Sequence, residues 1–322
     1  MSNEHLADPP GVARAARALC GSRRPVAAVG AIAHISAPVG DLSGSEIEDR
    51  LWKPIAQAMP DFELRTMLQL TGRFNSFDWV AGTGHIAGIF EQPLWGIRPT
   101  GRPVLIPFAA FDRIDNGGVA ESYLILDLPA LLIAAGQWPL APPLGQCFPA
   151  PAPASGDGIG RAPADPAVTA KSLHLVEAMI AGLMRYDGQS LASMGMRDFW
   201  TPSFTWYGPG GIGMARGHTD YERAHQGPFL KAFPDRVGGD HRCRIGDGPY
   251  VASTGWPSIR ATHLGGGWLG MPPTGRRISM RVMDFWRREG ESLVENWVFI
   301  DIIDLALQLE LDILGRAAQL RD

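Results

Sequence analysis

Apolar positions along the chain follow two periods that change over at defined points. Leu173, Val176, Ile180, Leu183 and Met184 recur at steps of three and four, one face of a helix that Asp187-Gly188 ends. Thr219-x-x-Glu222 reads as a capping box that opens a second helix running to about Ala232. From Ile245 to Ile300 the period drops to two and is broken by Gly and Pro, as in antiparallel strands. A last helix is expected over Ile302 to Leu320. Helices, then a run of strands, then a helix predicts an α+β fold, a curved antiparallel sheet wrapped around helices.

The pattern occurs twice. Shifting the chain by 174 positions sets Pro99-Thr100-Gly101-Arg102 on Pro273-Thr274-Gly275-Arg276, Phe111 on Phe285, Glu121 on Glu295 and Asp127 on Asp301. The same shift superposes Ser45-x-x-Glu48 on Thr219-x-x-Glu222 and Pro60-Asp61 on Pro234-Asp235. A repeat that matches at helix starts and turns predicts tandem copies of one fold. Between them Pro139 to Pro166 is rich in Pro, Ala and Gly, the composition of an extended, semi-rigid linker. The expected division is 1–138, a linker at 139–166, and 167–322, giving copies of roughly 140 and 155 residues. The first copy is expected to lack the long opening helix, since only Gly- and Ala-rich sequence precedes Ser45.

Composition narrows the function. Apolar residues make up 45% and charged residues 19%, which excludes an intrinsically disordered type. A net charge of −4 removes the basic footprint of a nucleic-acid binder. No apolar run reaches the ~18 residues of a membrane span, and Met1 to Pro10 has neither a basic nor an apolar signal region, so a cytoplasmic protein is expected. Cys20, Cys147 and Cys243 are too few for a disulfide framework. His218, His225, His241 and Cys243 fit no zinc spacing, and no metal or organic cofactor is expected. Gly208-Pro-Gly210-Gly211-Ile-Gly213 matches the dinucleotide fingerprint without the βαβ context that gives it meaning, and reads as a glycine-rich loop. Asp127 and Asp301 sit at helix entrances and read as N-caps.

The strand Ile278 to Arg287 carries the candidate chemistry. One face holds Ile278, Met280, Val282, Asp284 and Trp286, so a carboxylate stands in an apolar row. On the next strand Asn296 shares a face with Val294, Val298 and Ile300. A short turn between the strands brings Asp284 and Asn296 together, as a catalytic pair or a structural hydrogen bond. The first copy offers Ala110 and Ser122 at these places. Trp206, Tyr207, Trp256, His263, Trp286 and Val298 are the candidate ligand contacts around them.

The run Gly270-Met271-Pro272-Pro273-Thr274-Gly275-Arg276, the strand Glu295-Asn296-Trp297, and Asp301 leading to Gln308-Leu309 resemble the SnoaL-like polyketide cyclases, of the nuclear transport factor 2-like fold. His85-x-x-Gly88, Gly96-x-x-Pro99-Thr100-Gly101-Arg102 and Asp127 carry a weaker version in the first copy. The resemblance implies a cone with a cavity at one end and a cofactor-free intramolecular aldol closure, run by a cavity aspartate aided by a histidine. Counted from the shared motifs, that aspartate's position is Val298, and Leu124 in the first copy, while the histidine's position is Asp284. The expected partner is a small apolar, carbonyl-containing ligand in the C-terminal cavity. The rivals are a binding module without chemistry and an epoxide hydrolase, which needs an Asp–Arg–Asp relay. The two copies are expected to pair with each other, or the chain to form a homodimer.

Overall fold

The computed structural model describes residues 27–320; Met1 to Pro10, Cys20 and the sequence before β1 in the first copy lie outside the described residues. The N-terminal copy runs β1 (Ala27–Ile35), β2 (Gly40–Ser43), a π-helical turn (Glu48–Trp52) continuing into α1 (Lys53–Ala58), β3 (Glu63–Phe74), β4 (Phe77–Ile89), β5 (Pro103–Asp115), β6 (Gly118–Leu126) and α2 (Leu128–Ala134). The C-terminal copy opens with α3 (Pro166–Leu183), capped by Asp165. It continues through β7 (Trp200–Tyr207), β8 (Ala215–Arg216), α4 (Gly217–Tyr221), a π-helical turn (Glu222–Gln226), α5 (Gly227–Ala232), β9 (Val237–Gly238), β10 (His241–Asp247), β11 (Tyr250–Thr262), β12 (Arg277–Glu289) and β13 (Ser292–Ile300). It closes with α6 (Ile302–Gln308) and α7 (Ile313–Gln319). Both π-helical turns, α1 and α5, β5 and β12, β6 and β13, and α2 and α6 begin and end 174 positions apart.

The sheet orders match as well: β2-β1-β6-β5-β4-β3 in one copy and β8-β7-β13-β12-β11-β10 in the other, with β9 added beside β11. Each sheet is antiparallel except for one parallel pair, β1 with β6 and β7 with β13. The period of two gives the central strands two buried faces. On β12, Met280, Val282 and Trp286 join the core under the helices, while Met283 and Phe285 join a second apolar layer. That layer is built from both sheets: Leu68, Phe111 and Tyr123 meet Ile245, Phe285 and Trp297. Phe111 and Phe285, equivalent positions, face each other with ring centroids 5.5 Å apart. The two sheets thus pack back to back within one chain, each with its helices on the far side.

The helix entrances lie two to three residues before the positions read from the sequence. Thr219 lies inside α4, whose N-cap is Arg216. The bracing carboxylates are Asp220, which accepts from the Arg216 N–H at 3.0 Å, and Glu46, which accepts from the Ser43 N–H at 3.0 Å. The last helix is broken in two, because Glu310 takes a left-handed φ of 62° and Asp312 caps a new start. Asp127 and Asp301 do cap α2 and α6. Each carboxylate also reaches across to the other copy: Asp127 accepts from the Gly210 N–H at 2.8 Å and Asp301 from the Ala37 N–H at 3.1 Å. This explains the glycine-rich loop, where a Cβ on Gly210 would stand 2.2 Å from the Ala130 nitrogen. The segment between the copies is extended but anchored. The Trp297 indole donates to the Pro151 carbonyl at 3.0 Å, the Gln69 N–H to the Gly158 carbonyl at 2.9 Å, and Arg161 pairs with Asp247 at 2.9 Å.

Candidate functional site

The concave face of the C-terminal sheet, α3 and the π-helical turn after α4 enclose a cavity of about 520 Å³. Asp284, Asn296, Trp206, Trp286 and Val298 all line it. Asp284 sits mid-strand, opposite Ser253 on β11 and Val298 on β13. Burial pushes its carboxyl up to about 7, against weaker opposing effects of Asn296 and the Arg244 charge. Asn296 is buried, and its amide donates to the Phe285 carbonyl at 3.0 Å and to Asp284 at 3.5 Å. The amide is therefore fixed by β12 and leans on the carboxyl.

Three expected contacts do not line this cavity. Tyr207 follows Trp206 on β7 and so points to the other face, where it stacks on Trp297 at 5.3 Å and donates to Glu295. Trp256 lies where β11 departs from its register after Gly255, and packs against Tyr123 and the Arg281 guanidinium. His263, just past β11, is wedged against Phe233 at 5.3 Å and meets Thr274 at 3.2 Å.

The cavity brings in residues the sequence reading did not select. Tyr221, His225 and Phe229 recur every four residues and form one helical stripe facing inward. His225 stacks on Trp206 with centroids 4.2 Å apart, and burial drives its imidazole down to about 3, so it is neutral. The Tyr221 hydroxyl is held protonated by burial and by the nearby Asp284 charge. Arg236 and Arg244 add two guanidinium groups to the lining. The i, i+4, i+8 spacing was the available signal for the stripe; nothing local marks the two arginines.

The N-terminal copy holds a chamber of only about 80 Å³. Its carboxyl is Asp112, opposite Ser122 and two positions along β5 from Ala110, with one oxygen buried and unpartnered; burial raises it to about 6. A wider groove of about 630 Å³ lies between the copies. Its acids are occupied: Asp127 caps α2, Asp61 accepts from the Ile89 N–H at 2.8 Å, and Glu63 pairs with Arg65. Burial pushes up the Cys147 thiol there, so it is no ready nucleophile. An Asp–Arg–Asp set does occur, with Arg281 3.1 Å from Asp301 and 3.7 Å from Asp304, but Arg281 is not among the cavity-lining residues, so it cannot serve as the hydrolase relay. Among the described residues no group of three or more His, Cys, Asp or Glu side chains could hold a metal ion, and no helix is long and apolar enough to cross a membrane.

No curated protein matches the chain significantly. Among solved structures, AclR from Streptomyces galilaeus is 26% identical, with 44% of this chain and 97% of that one covered and a TM-score of 0.35. IdmH from Streptomyces antibioticus is 25% identical, with 42% and 98% covered and a TM-score of 0.34. An NTF2-like protein from Burkholderia xenovorans LB400 is 15% identical, with 44% and 97% covered and a TM-score of 0.34. Residues 186–309, which hold nearly all of the cavity walls, match the family described as SnoaL-like polyketide cyclase.

Proposed function

We propose that the C-terminal cone binds a small apolar ligand bearing a carbonyl group and that Asp284 moves a proton on it without a cofactor. The observation that carries this reading is a carboxyl poised near 7 on the wall of a 520 Å³ cavity. At neutral pH such a group is present in both protonation states, the condition for an efficient acid/base. As carboxylate it takes a proton from the carbon beside the carbonyl, and the electron pair passes to the carbonyl oxygen as an enolate. Tyr221, a neutral hydroxyl within the field of Asp284, is the donor suited to that oxygen. In a ring closure the enolate carbon then bonds to a second carbonyl carbon, and the new alkoxide takes the proton back from Asp284. Asn296, with its amide committed to Phe285 and Asp284, orients the carboxyl rather than touching the ligand.

The test is exchange at carbon. With 2-tetralone in D2O near neutral pD, proton NMR should show protein-dependent loss of the α-protons, and Asp284→Asn should remove it while the fold stays intact. Equal exchange by the variant would sink the proposal. Tight binding with no exchange at any pH would favour a binding module, the reading to which Val298 in the family's aspartate position points.

A further inference from the structure

The charges lining the cavity do not balance. Asp284 is the one acidic side chain among the lining residues, against two guanidinium groups, Arg236 and Arg244. His225 and His241 also face it, and burial holds both imidazoles neutral, near 3 and near 4. Arg244 has acids to answer it: Glu177 lies 3.6 Å away, and Asp284 is within its field. Arg236 has none among the described residues. Its hydrogen bonds, at Nη2, go to the Leu183 carbonyl at 2.6 Å and the Met194 sulfur at 3.9 Å, and its plane lies over the Tyr186 ring. A guanidinium offers five N–H donors in a rigid fork, so Nε and Nη1 are left for something else. Tyr221 lies within the field of both Arg236 and Asp284, which places the guanidinium on the same wall system as the carboxyl. The N-terminal copy has Phe62 at the matching position, buried and stacked on Trp52, so the arginine is not required to close the cone.

We infer that the ligand of the C-terminal cavity carries a carboxylate, held by Arg236 while the rest of the molecule lies on the apolar walls toward Asp284. A planar fork is the natural partner of a carboxylate, and a half-desolvated one discriminates strongly for it. Partial burial also lowers the pKa of Arg236, the cost that a bound anion would offset. The inference rests on the reading of this cavity as a ligand site, and it adds the substrate class: an apolar carboxylic acid that also bears a carbonyl.

The experiment compares 2-naphthoate with methyl 2-naphthoate by titration calorimetry on the full chain. The acid should bind at least about tenfold more tightly than the ester, a gap of ~1.4 kcal/mol. Arg236→Met should erase that gap with little change for the ester, and Arg236→Lys should restore part of it. Equal binding of acid and ester by the unaltered protein would overturn the carboxylate assignment while leaving the cavity a ligand site. It would mean that Arg236 only clamps the end of α3. A preference that follows Arg244→Met instead would overturn the choice of residue. If neither compound binds, the ligand-site reading falls, and this inference with it.

Discussion

The two cones share a frame residue for residue, yet one is nearly solid and the other hollow. At matching positions the N-terminal copy has Trp52, Phe62 and Phe108 where the C-terminal copy has Gln226, Arg236 and Val282. The second cone lacks rings at these three positions but carries Trp206, Tyr221, Phe229 and Trp286 where the first has Ile32, Ile47, Ile55 and Asp112, so where the bulk sits, not the number of rings, goes with a cavity of about 520 Å³ rather than about 80 Å³. Strands, register and turns are indifferent to this exchange, because they are set by backbone pairing and by the outer faces that form the layer between the sheets. The inner faces are free to vary, and side-chain volume there decides whether a cone is a scaffold or a vessel. The two carboxyls follow suit. Asp284 faces open space, whereas Asp112 stands beside Ser122 in a chamber too small for more than a few atoms.

The strongest way to break this contrast is to exchange the fates of the two acids. Asp284→Asn should cost about 10²- to 10⁴-fold in α-proton exchange, the usual worth of a positioned acid/base. Asp112→Asn should leave the rate unchanged, and an equal loss from both would mean that the hollow is not what makes the site. Next come the matched positions Phe62 and Arg236. Phe62→Ala removes a packed ring and should cost ~3–5 kcal/mol in urea unfolding. Arg236→Ala removes a side chain that ends in the cavity, and should cost ~1 kcal/mol, the worth of its bond to Leu183. The cones can also be made alike. Val282→Phe with Gln226→Trp transplants the N-terminal bulk, and should weaken binding of 2-naphthoate at least about tenfold while leaving the melting temperature unchanged or higher.

How much of this the sequence carried depends on the interaction concerned. Repeat spacing, strand alternation and the caps at Asp127 and Asp301 depend on neighbours a few residues away, and were legible. Asp284 and Asn296 were legible for the same reason, since a polar residue in an apolar row is visible on its own strand. Tyr207 and Trp256 misled because both belong to strands whose two faces are buried, so burial alone could not tell cavity from sheet-to-sheet layer. Arg236 was invisible: an arginine after Pro234-Asp235 reads as a surface turn, and only the packing of α3 and α5 turns its head inward. The capping boxes failed because an acid two residues earlier in each copy, Glu46 and Asp220, takes the backbone N–H at the helix entrance, and Glu48 and Glu222 instead begin the π-helical turns.

The smallest expected effect is on stability against pH, and it separates the two acids by their windows. Both carboxyls have folded values above the ordinary ~4 of an unfolded chain, so the folded state holds the proton more tightly. The stabilising contribution is fully present below about pH 4 and is lost as pH rises, since above that point the unfolded state sheds a proton the folded state still keeps. The loss is complete near 6 for Asp112 and near 7 for Asp284. Asparagine has no charged form to desolvate. Asp284→Asn should therefore melt close to the unaltered protein at or below pH 4, and a few degrees above it at pH 8. With Asp112→Asn, the difference should stop growing at about pH 6. A difference that is constant across the range, read by circular dichroism melts at unit pH steps, would mean that Asp284 is ionised throughout. It would also mean that the cavity is wet enough to solvate the charge.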